Sequence, residues 1–228
     1  MSDAWPVPTP VCPGAEAPNA AMAPSTSAEA AEMARKPFRE LIGAVLYLAV
    51  TIRPDIFDAV RTLSRFCNNP GHTHWLAALW LLRFLKGTVK KGLLYSRSAA
   101  IGAAVPGAAI GFADADWARD IDKRRRSIGA YIFLRSGAAI SWRSKMHAGL
   151  RRWLDLGLRL PVTAATPIHE DNKPARDVAA NPFSERRVKH IDIKFHIVRE
   201  RVESGEVCMV PVKTEDQLAD LLTKPLPA

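Results

Sequence analysis

Three aspartates stand at or near the ends of elements that the sequence predicts, and their chemistry could serve phosphodiester hydrolysis. Asp114 follows one apolar stretch, Asp171 follows another, and Asp192 lies in an amphipathic stretch further on. Hydrolysis by two divalent cations needs several carboxylates that converge on metal ions roughly 4 Å apart. Mg²⁺ prefers such oxygen ligands and keeps several of its waters. Because Asp is also common at strand ends as a turn former, the spacing by itself does not establish a metal site.

Short strands and helices alternate in the second half of the chain, and these elements must position the aspartates. The predicted strands are residues 109–113, 128–134, 138–142, 166–170 and 206–211. Residues 135–137, Arg-Ser-Gly, indicate a hairpin between the second and third strands. Apolar residues at intervals of three and four along residues 184–204 predict an amphipathic helix with a basic opposite side. Thr214 and Gln217 predict a capping box for a last helix, so the whole pattern implies an α/β layer fold.

The stretch ahead of these strands has the pattern of helices. Pro54 suits the first position of a helix, and apolar residues recur behind it at helical spacing. Thr73 can cap the next helix, which is predicted to end at Gly87. These signals predict a small all-α module.

Composition divides the chain into four segments. Residues 1–34 are rich in Ala, Pro, Ser and Thr and bury too little apolar surface to offset the entropy of ordering, so they are predicted to be a disordered leader. Residues 35–95 are the helical module. Residues 96–108 are small, with Gly and Pro, and are predicted to be a linker. Residues 109–228 are predicted to be the α/β domain.

Bulk charge favours a polyanionic partner. The chain has 32 Lys and Arg against 23 Asp and Glu, a formal net charge of +9. Lys and Arg release counterions from phosphates on binding, so nucleic acid is the expected partner.

Three widely spaced cysteines, Cys12, Cys67 and Cys208, indicate neither a disulfide framework nor a zinc site. With no secretory signal and no apolar run long enough to span a bilayer, we expect an intracellular protein, cytoplasmic or nuclear and not secreted, with no membrane partner.

Several long sequence blocks carry a specific resemblance. In chain order they are ELIGAVLYLAVTIRPDI, DAVRTLSRFCNNPGHTHWLAALWLLRFLKGT, GFADADWARD, GAYIFLRSGAAISWRSK, EDNKPA, RRVKHIDIKFHIVRERVESGEV and TEDQLADLLTKPLP. From about residue 37 to 227 the chain resembles copia-type retrotransposon Pol polyproteins. The resemblance implies that the first half is the end of a reverse transcriptase, behind the polymerase palm, and that the second half is a ribonuclease H domain. Because the palm and its paired aspartates are not in this sequence, no polymerase activity is expected.

The resemblance also implies a fold and a site. The fold would be a ribonuclease H-like mixed sheet with covering helices. Domains of this family cut the RNA strand of an RNA–DNA hybrid, and they use four acidic residues and two divalent metal ions, Mg²⁺ or Mn²⁺. Asp114 in ADADWA matches the acid on the first strand, Asp171 in EDNKPA matches an Asp-Asn pair at a strand end, and Asp192 in KHIDI matches the final acid. His190 beside it either contacts phosphate or aids product release, or is a solvated helix residue. The expected partner is an RNA–DNA hybrid or other nucleic acid, with no small-molecule cofactor.

One acid of the family pattern is missing. The family carries a Glu in a Ser-Thr-Glu-Ala-Glu-Tyr-like stretch directly after the strand that ends in SWRSK. In the family this stretch begins a long helix. Here SWRSK runs into Met-His-Ala-Gly, and Arg151 and Arg152 stand where the first turns of the family's helix belong. Glu170 precedes Asp171 on a strand, where neighbouring side chains point to opposite faces, and Asp155 is short and one turn too far along, so neither is an attractive substitute. We therefore expect this copy to be inactive or severely impaired as a nuclease.

Two other interpretations stay open at this point. One is a non-catalytic nucleic-acid-binding module whose basic surface survives without the metal site. The other is a pseudogene product without a stable fold. The basic run at residues 123–126 is either a phosphate-binding patch or a solvated charge run, and the sequence does not distinguish these.

Overall fold

The structure, a computed structural model, describes residues 4–96, 108–116, 128–146, 165–180 and 200–224. These residues form two compact units, one containing the described residues up to Leu93 and the other those from Leu94 to Thr223. The three cysteines are free thiols. Within the described ranges, no helix has both the length and the apolar character needed to cross a membrane.

Four helices form the first unit. They are α1 Ser27–Ala34, α2 Phe38–Thr51, α3 Phe57–Ser64 and α4 His72–Gly87. The buried residues of α2 repeat at intervals of three and four, so one face of the helix packs into the core: Phe38, Ile42, Val45 and Ala49. Pro54 occupies the first position of the 3-10 turn Pro54–Ile56, as predicted, because its φ is already fixed and its missing N–H has no partner to lose. Gly87 ends α4, also as predicted.

The start of α4 differs from the prediction. The residue that caps it is Gly71, not Thr73. The buried imidazole of His74 provides the cap, because its Nδ1 accepts the Gly71 N–H at 2.9 Å while its Nε2 lies 3.1 Å from the Asn19 carbonyl. A neutral imidazole has one acceptor and one donor nitrogen and satisfies both contacts. A side chain inside the helix therefore takes the place of the predicted hydroxyl.

The N-terminal residues also differ from the predicted disorder, because several residues of this segment contact α4. Three α4 side chains donate hydrogen bonds to backbone carbonyls of this segment: Trp80 to Thr9 at 2.9 Å, Arg83 to Trp5 at 2.7 Å and Lys86 to Ala4 at 3.0 Å. Val7 and Thr9 are buried. The composition of the segment did not indicate this order, because the donors lie on a helix far along the chain.

A five-stranded mixed sheet forms the second unit. Its strands are β1 Ile110–Asp116, β2 Ile128–Arg135, β3 Ala138–Met146, β4 Thr166–Glu170 and β5 Val207–Pro211. They lie in the order β3-β2-β1-β4-β5, and helix α5, Lys173–Ala180, follows β4. The β1–β2 and β2–β3 pairs are antiparallel, whereas β4 runs parallel to both β1 and β5. The predicted mixed α/β sheet is thereby confirmed.

The hairpin between β2 and β3 turns where the sequence predicted it. Ser136 and Gly137 have φ values of 52° and 88°, the left-handed backbone that a two-residue hairpin turn requires. Beside this turn, the Ser96 N–H donates to the Ser136 carbonyl at 2.8 Å and the Tyr95 hydroxyl donates to the Ala139 carbonyl at 2.7 Å. Tyr95 and Ser96, where the predicted linker begins, therefore lie along the hairpin. Residues 97–107 of the linker lie outside the described ranges.

One face of the sheet carries an apolar cluster. The cluster comprises Ala113, Tyr131, Phe133, Ile168 and Val207.

The C-terminal residues differ from the predicted helix. In place of one last helix there are two 3-10 turns, Thr214–Asp216 and Leu218–Leu222. Gln217 caps the second turn by accepting the Ala219 N–H at 3.2 Å. Of the predicted helix at residues 184–204, only residues 200–204 lie within the described ranges, and residues 200–203 are helical.

Candidate active site at the ends of two parallel strands

Asp114 lies on the central strand β1, which continues to Asp116 and does not end where the sequence predicted. Its side chain is buried, and its Oδ2 accepts the Thr223 hydroxyl at 2.7 Å. Side chains alternate across a strand, so Asp114 projects from the face opposite Ala113 and its apolar cluster. Asp116 follows two residues later on the backbone, and its side chain lies outside what the structure describes.

Asp171 comes directly after β4, the parallel neighbour of β1. The carboxyl ends of parallel strands meet at one edge of a sheet, so Asp114 and Asp171 belong to the same edge. Asp171 is partly exposed, and its Oδ2 accepts the Thr214 hydroxyl at 3.1 Å. Asn172 ties down the following turn, because its Oδ1 accepts the Ala175 N–H in the first turn of α5 at 3.4 Å.

Glu170 is the buried neighbour of both aspartates, with 4% of its surface exposed. The pKa of Glu170 is raised to about 8, mainly because burial disfavours its charged form and to a smaller extent because of the negative charges of Asp171 and Asp114. The Asn172 N–H and the Arg176 charge act in the opposite direction. Glu170 therefore stays largely protonated at neutral pH, chiefly because it is buried.

The orientation of Glu170 follows the strand alternation expected from the sequence. In the register of β1 and β4, Glu170 lies opposite Ala113, a member of the apolar cluster. Glu170 therefore belongs to the core face, whereas Asp114 projects from the other face. Its short distance along the chain from Asp171 does not make it a replacement for the missing Glu.

The remaining predicted site residues lie outside the described ranges. These are Asp192 and His190, together with Asp155, Arg151 and Arg152 of the segment where the family carries its Glu. The structure thus brings two of the three predicted acids to one edge, and the position of the third stays a prediction. Across the described parts of the chain, no three His, Cys, Asp or Glu side chains are grouped so that they could hold a metal ion. Asp114 and Asp171 therefore fit a divalent cation in donor chemistry but not in number.

Three site residues were missed by the sequence reasoning, namely Thr214, Gln217 and Thr223. Gln217 Nε2 donates to the carbonyl of Ala113 at 2.8 Å, a contact between residues 104 positions apart in the chain. The Thr223 bond to Asp114 joins residues 109 positions apart. In the sequence their block contributes to the family resemblance, and Thr214 and Gln217 predict a helix cap, but no local pattern reports a partner at that distance.

Comparison with known proteins places the chain among retrotransposon sequences. No protein-family model matches it. It is 35% identical, over 250 aligned positions, to the retrovirus-related Pol polyprotein from transposon TNT 1-94 of Nicotiana tabacum, an alignment that covers 100% of this chain and 18% of the relative. It is 36% identical to the retrovirus-related Pol polyprotein from transposon RE1 of Arabidopsis thaliana, covering 83% of this chain and 14% of the relative. The chain thus spans less than a fifth of these relatives.

Among solved structures, the chain aligns with a foamy viral protease-reverse transcriptase in complex with an RNA/DNA hybrid. The alignment has a TM-score of 0.48 and 11% sequence identity, and it covers 89% of this chain and 28% of that one. A likeness of that size carries no argument about function.

Proposed function

This chain belongs to the copia-type retrotransposon Pol polyproteins, and from that premise we propose that its second unit is a ribonuclease H-type domain that binds RNA–DNA hybrids and has lost most or all of its ability to cut them. One observation carries the proposal. Asp114 on β1 and Asp171 directly after β4 lie at the same edge of a sheet with the order β3-β2-β1-β4-β5. One acid near the end of a strand and another directly after its parallel neighbour can contribute to the group of carboxylates that a cation-dependent phosphodiesterase needs.

Asp114 and Asp171 would hold the divalent cation, Mg²⁺ or Mn²⁺, together with Asp192. When bound, such a cation would polarise the scissile phosphate and help to generate the attacking hydroxide. The carboxylates of Asp114 and Asp171 would supply the negative charge at the sheet edge. Thr214 and Thr223 hold these two carboxylates in place through hydroxyl hydrogen bonds.

The missing Glu supports the loss of cleavage. SWRSK is followed by Met-His-Ala-Gly and then by two arginines, where the family pattern has a carboxylate. The alignment with the Nicotiana relative runs over 250 positions against the 228 residues of this chain, so the relative has residues with no counterpart here. Glu170 faces the core and does not compensate. Cationic residues in place of a carboxylate also weaken the binding of a divalent cation.

The net charge of +9 supports retention of binding. Contacts from Lys and Arg to phosphates depend on salt and not on the metal site, so they survive its loss. The chain would then act as a basic, non-catalytic binding module for nucleic acid, which is the second candidate function. We propose that the first unit is the remnant of the reverse transcriptase end, without polymerase activity.

A cleavage and binding assay on the full chain tests the proposal. A labelled RNA–DNA hybrid is incubated with the protein and with Mg²⁺ or Mn²⁺, and both bound and cut fractions are measured. We expect binding that weakens steeply as salt rises, with no cleavage above background. Robust cleavage that Asp114→Asn abolishes would overturn the claim of lost activity. A lack of hybrid binding even at low salt would overturn the proposed function as a whole.

A further inference from the structure

The two strand-end aspartates share an unusual feature, because each accepts a hydroxyl hydrogen bond from the same short segment. Thr223 donates to Asp114 Oδ2 at 2.7 Å, and Thr214 donates to Asp171 Oδ2 at 3.1 Å. The threonines lie nine positions apart, one at each end of residues 214–223, the segment called the C-terminal clamp from here on. The clamp thus reaches both acids of the candidate site at once.

The clamp is itself anchored to the strand that carries the first acid. Gln217, between the two threonines, donates from Nε2 to the carbonyl of Ala113, the residue before Asp114. The same side chain accepts the Ala219 N–H through Oε1 and so holds the following turn. Gln217, Ala219, Leu222 and Thr223 are all buried. The clamp is therefore packed onto the sheet, and this packing holds its two threonine hydroxyls in position.

We propose that Thr223 and Thr214 are positioning residues that orient the carboxylates of Asp114 and Asp171 for a divalent cation, an inference that rests on the proposed function. A hydrogen bond to one oxygen of a carboxylate restricts its rotation and sets the direction of the other oxygen. Groups that bond to metal ligands in this way fix ligand orientation, and their loss typically lowers metal affinity by about 10- to 100-fold.

The two contacts differ in strength. The Thr223–Asp114 bond is short and buried, and a hydrogen bond to a charged group is stronger in a medium of low dielectric constant. The Thr214–Asp171 bond is longer and exposed to water, which competes for the same oxygen. Removal of the Thr223 hydroxyl therefore has the larger effect.

NMR of the full chain with ¹³C-labelled aspartate carboxyl groups tests the positioning directly. Thr223→Val removes the hydroxyl at nearly constant volume, and we expect it to shift the carboxyl resonance of Asp114 and to leave that of Asp171 in place. Thr214→Val has the reverse effect. Thr223→Ser and Thr214→Ser keep a hydroxyl and restore the wild-type resonances. Thr214→Val and the two serine variants keep the test open if the buried Thr223→Val variant does not fold.

Thr51→Val is the matched control, because the Thr51 hydroxyl donates to the Tyr47 carbonyl within α2 and not to either aspartate. We expect this variant to shift neither carboxyl resonance. The inference is overturned if the valine variants leave the carboxyl resonances unmoved, or if serine does not rescue them. Titration with Mn²⁺ then separates the two proposals. In a chain that binds Mn²⁺, Thr223→Val raises the dissociation constant by about 10-fold. If the chain binds no Mn²⁺, positioning for a cation is overturned even where the shifts persist, whereas the proposed binding of RNA–DNA hybrids, which depends on Lys and Arg, is unaffected.

Discussion

The ring of Phe133 on β2 lies against Gly111 on β1. The two residues are directly opposite in the antiparallel register, and a β-carbon at residue 111 would come within 2.2 Å of Phe133 Cε1. Phe133 is fully buried in the apolar cluster, so a shift of its ring would disturb the residues packed around it. The centre of the sheet is therefore closed to any side chain at residue 111.

Gly111→Ala is expected to destabilise the protein by about 1–3 kcal/mol, since an added carbon in a packed core forces side chains out of their rotamers. Urea unfolding followed by circular dichroism measures the change. Gly43→Ala is the control: Gly43 lies on the exposed side of α2 with no atom within 4 Å of the added carbon, and alanine favours helix by up to about 1 kcal/mol. Equal stability of the two variants would contradict the packing argument.

The stability of the first unit is expected to fall between about pH 7 and 5.5. Burial lowers the pKa of His74 from its ordinary value of 6.5, and the bond to the Asn19 carbonyl only partly offsets this. The unfolded chain then binds the proton more readily than the folded one, so the free energy of unfolding decreases as pH falls below about 6.5. Protonation at Nδ1 also removes the acceptor of the Gly71 N–H.

Thermal unfolding of the full chain at both pH values measures this effect. Glu29 and Glu32 contribute only at lower pH, because their pKa values lie below the ordinary 4.5. His74→Gln keeps one acceptor and one donor without a titrating ring. We expect it to be less stable at pH 7 and to lose the part of the pH dependence that His74 contributes, while the contributions of His169 and Glu170 in the second unit stay the same in both proteins. An unchanged slope in this variant would contradict a role for His74.

Deletion of residues 4–24 is expected to lower the melting temperature of the first unit. Its loss exposes the surface under Val7 and Thr9 and leaves the Trp80 N–H without its carbonyl acceptor. The loss of one such hydrogen bond costs about 0.5–1.5 kcal/mol, and the lost burial of Val7 adds to it. Trp5→Ala is the control, because the Trp5 side chain is 81% exposed and only its carbonyl binds α4. The deletion should therefore destabilise the unit far more than Trp5→Ala, and comparable melting temperatures would show that the segment is not held as described.

Insertion of Ser-Thr-Glu-Ala-Glu-Tyr after Met146 is expected to restore cleavage of an RNA–DNA hybrid in the presence of Mg²⁺. The insertion supplies the carboxylate that the family carries behind the SWRSK strand. A group displaced by about 1 Å can cost roughly 100-fold in rate, so even partial restoration should be measurable above background. The same insertion with Gln at both Glu positions is the control and should stay inactive. Cleavage by the control, or by neither protein, would show that the missing Glu does not explain the loss.

Much of the local structure could be predicted from the sequence. The strand alternation, the hairpin at Ser136 and Gly137, and the end of α4 at Gly87 follow from side-chain periodicity and from backbone angles that few residues adopt. The placement of Asp114 and Asp171 at one edge follows from the strand pattern together with the family resemblance. The strand alternation, the hairpin and the helix end depend on residues a few positions apart, which a sequence displays directly.

Only the tertiary structure decided how the acids are held. The Thr223–Asp114 contact and the raised pKa of Glu170 both arise from packing between distant segments, the first across 109 positions of the chain. The order of residues 4–34 likewise depends on donors from α4. Composition reports whether a segment can bury its own apolar surface, and not which remote groups will bond to its backbone. For that physical reason, the sequence predicted the acids but not the threonines that hold them.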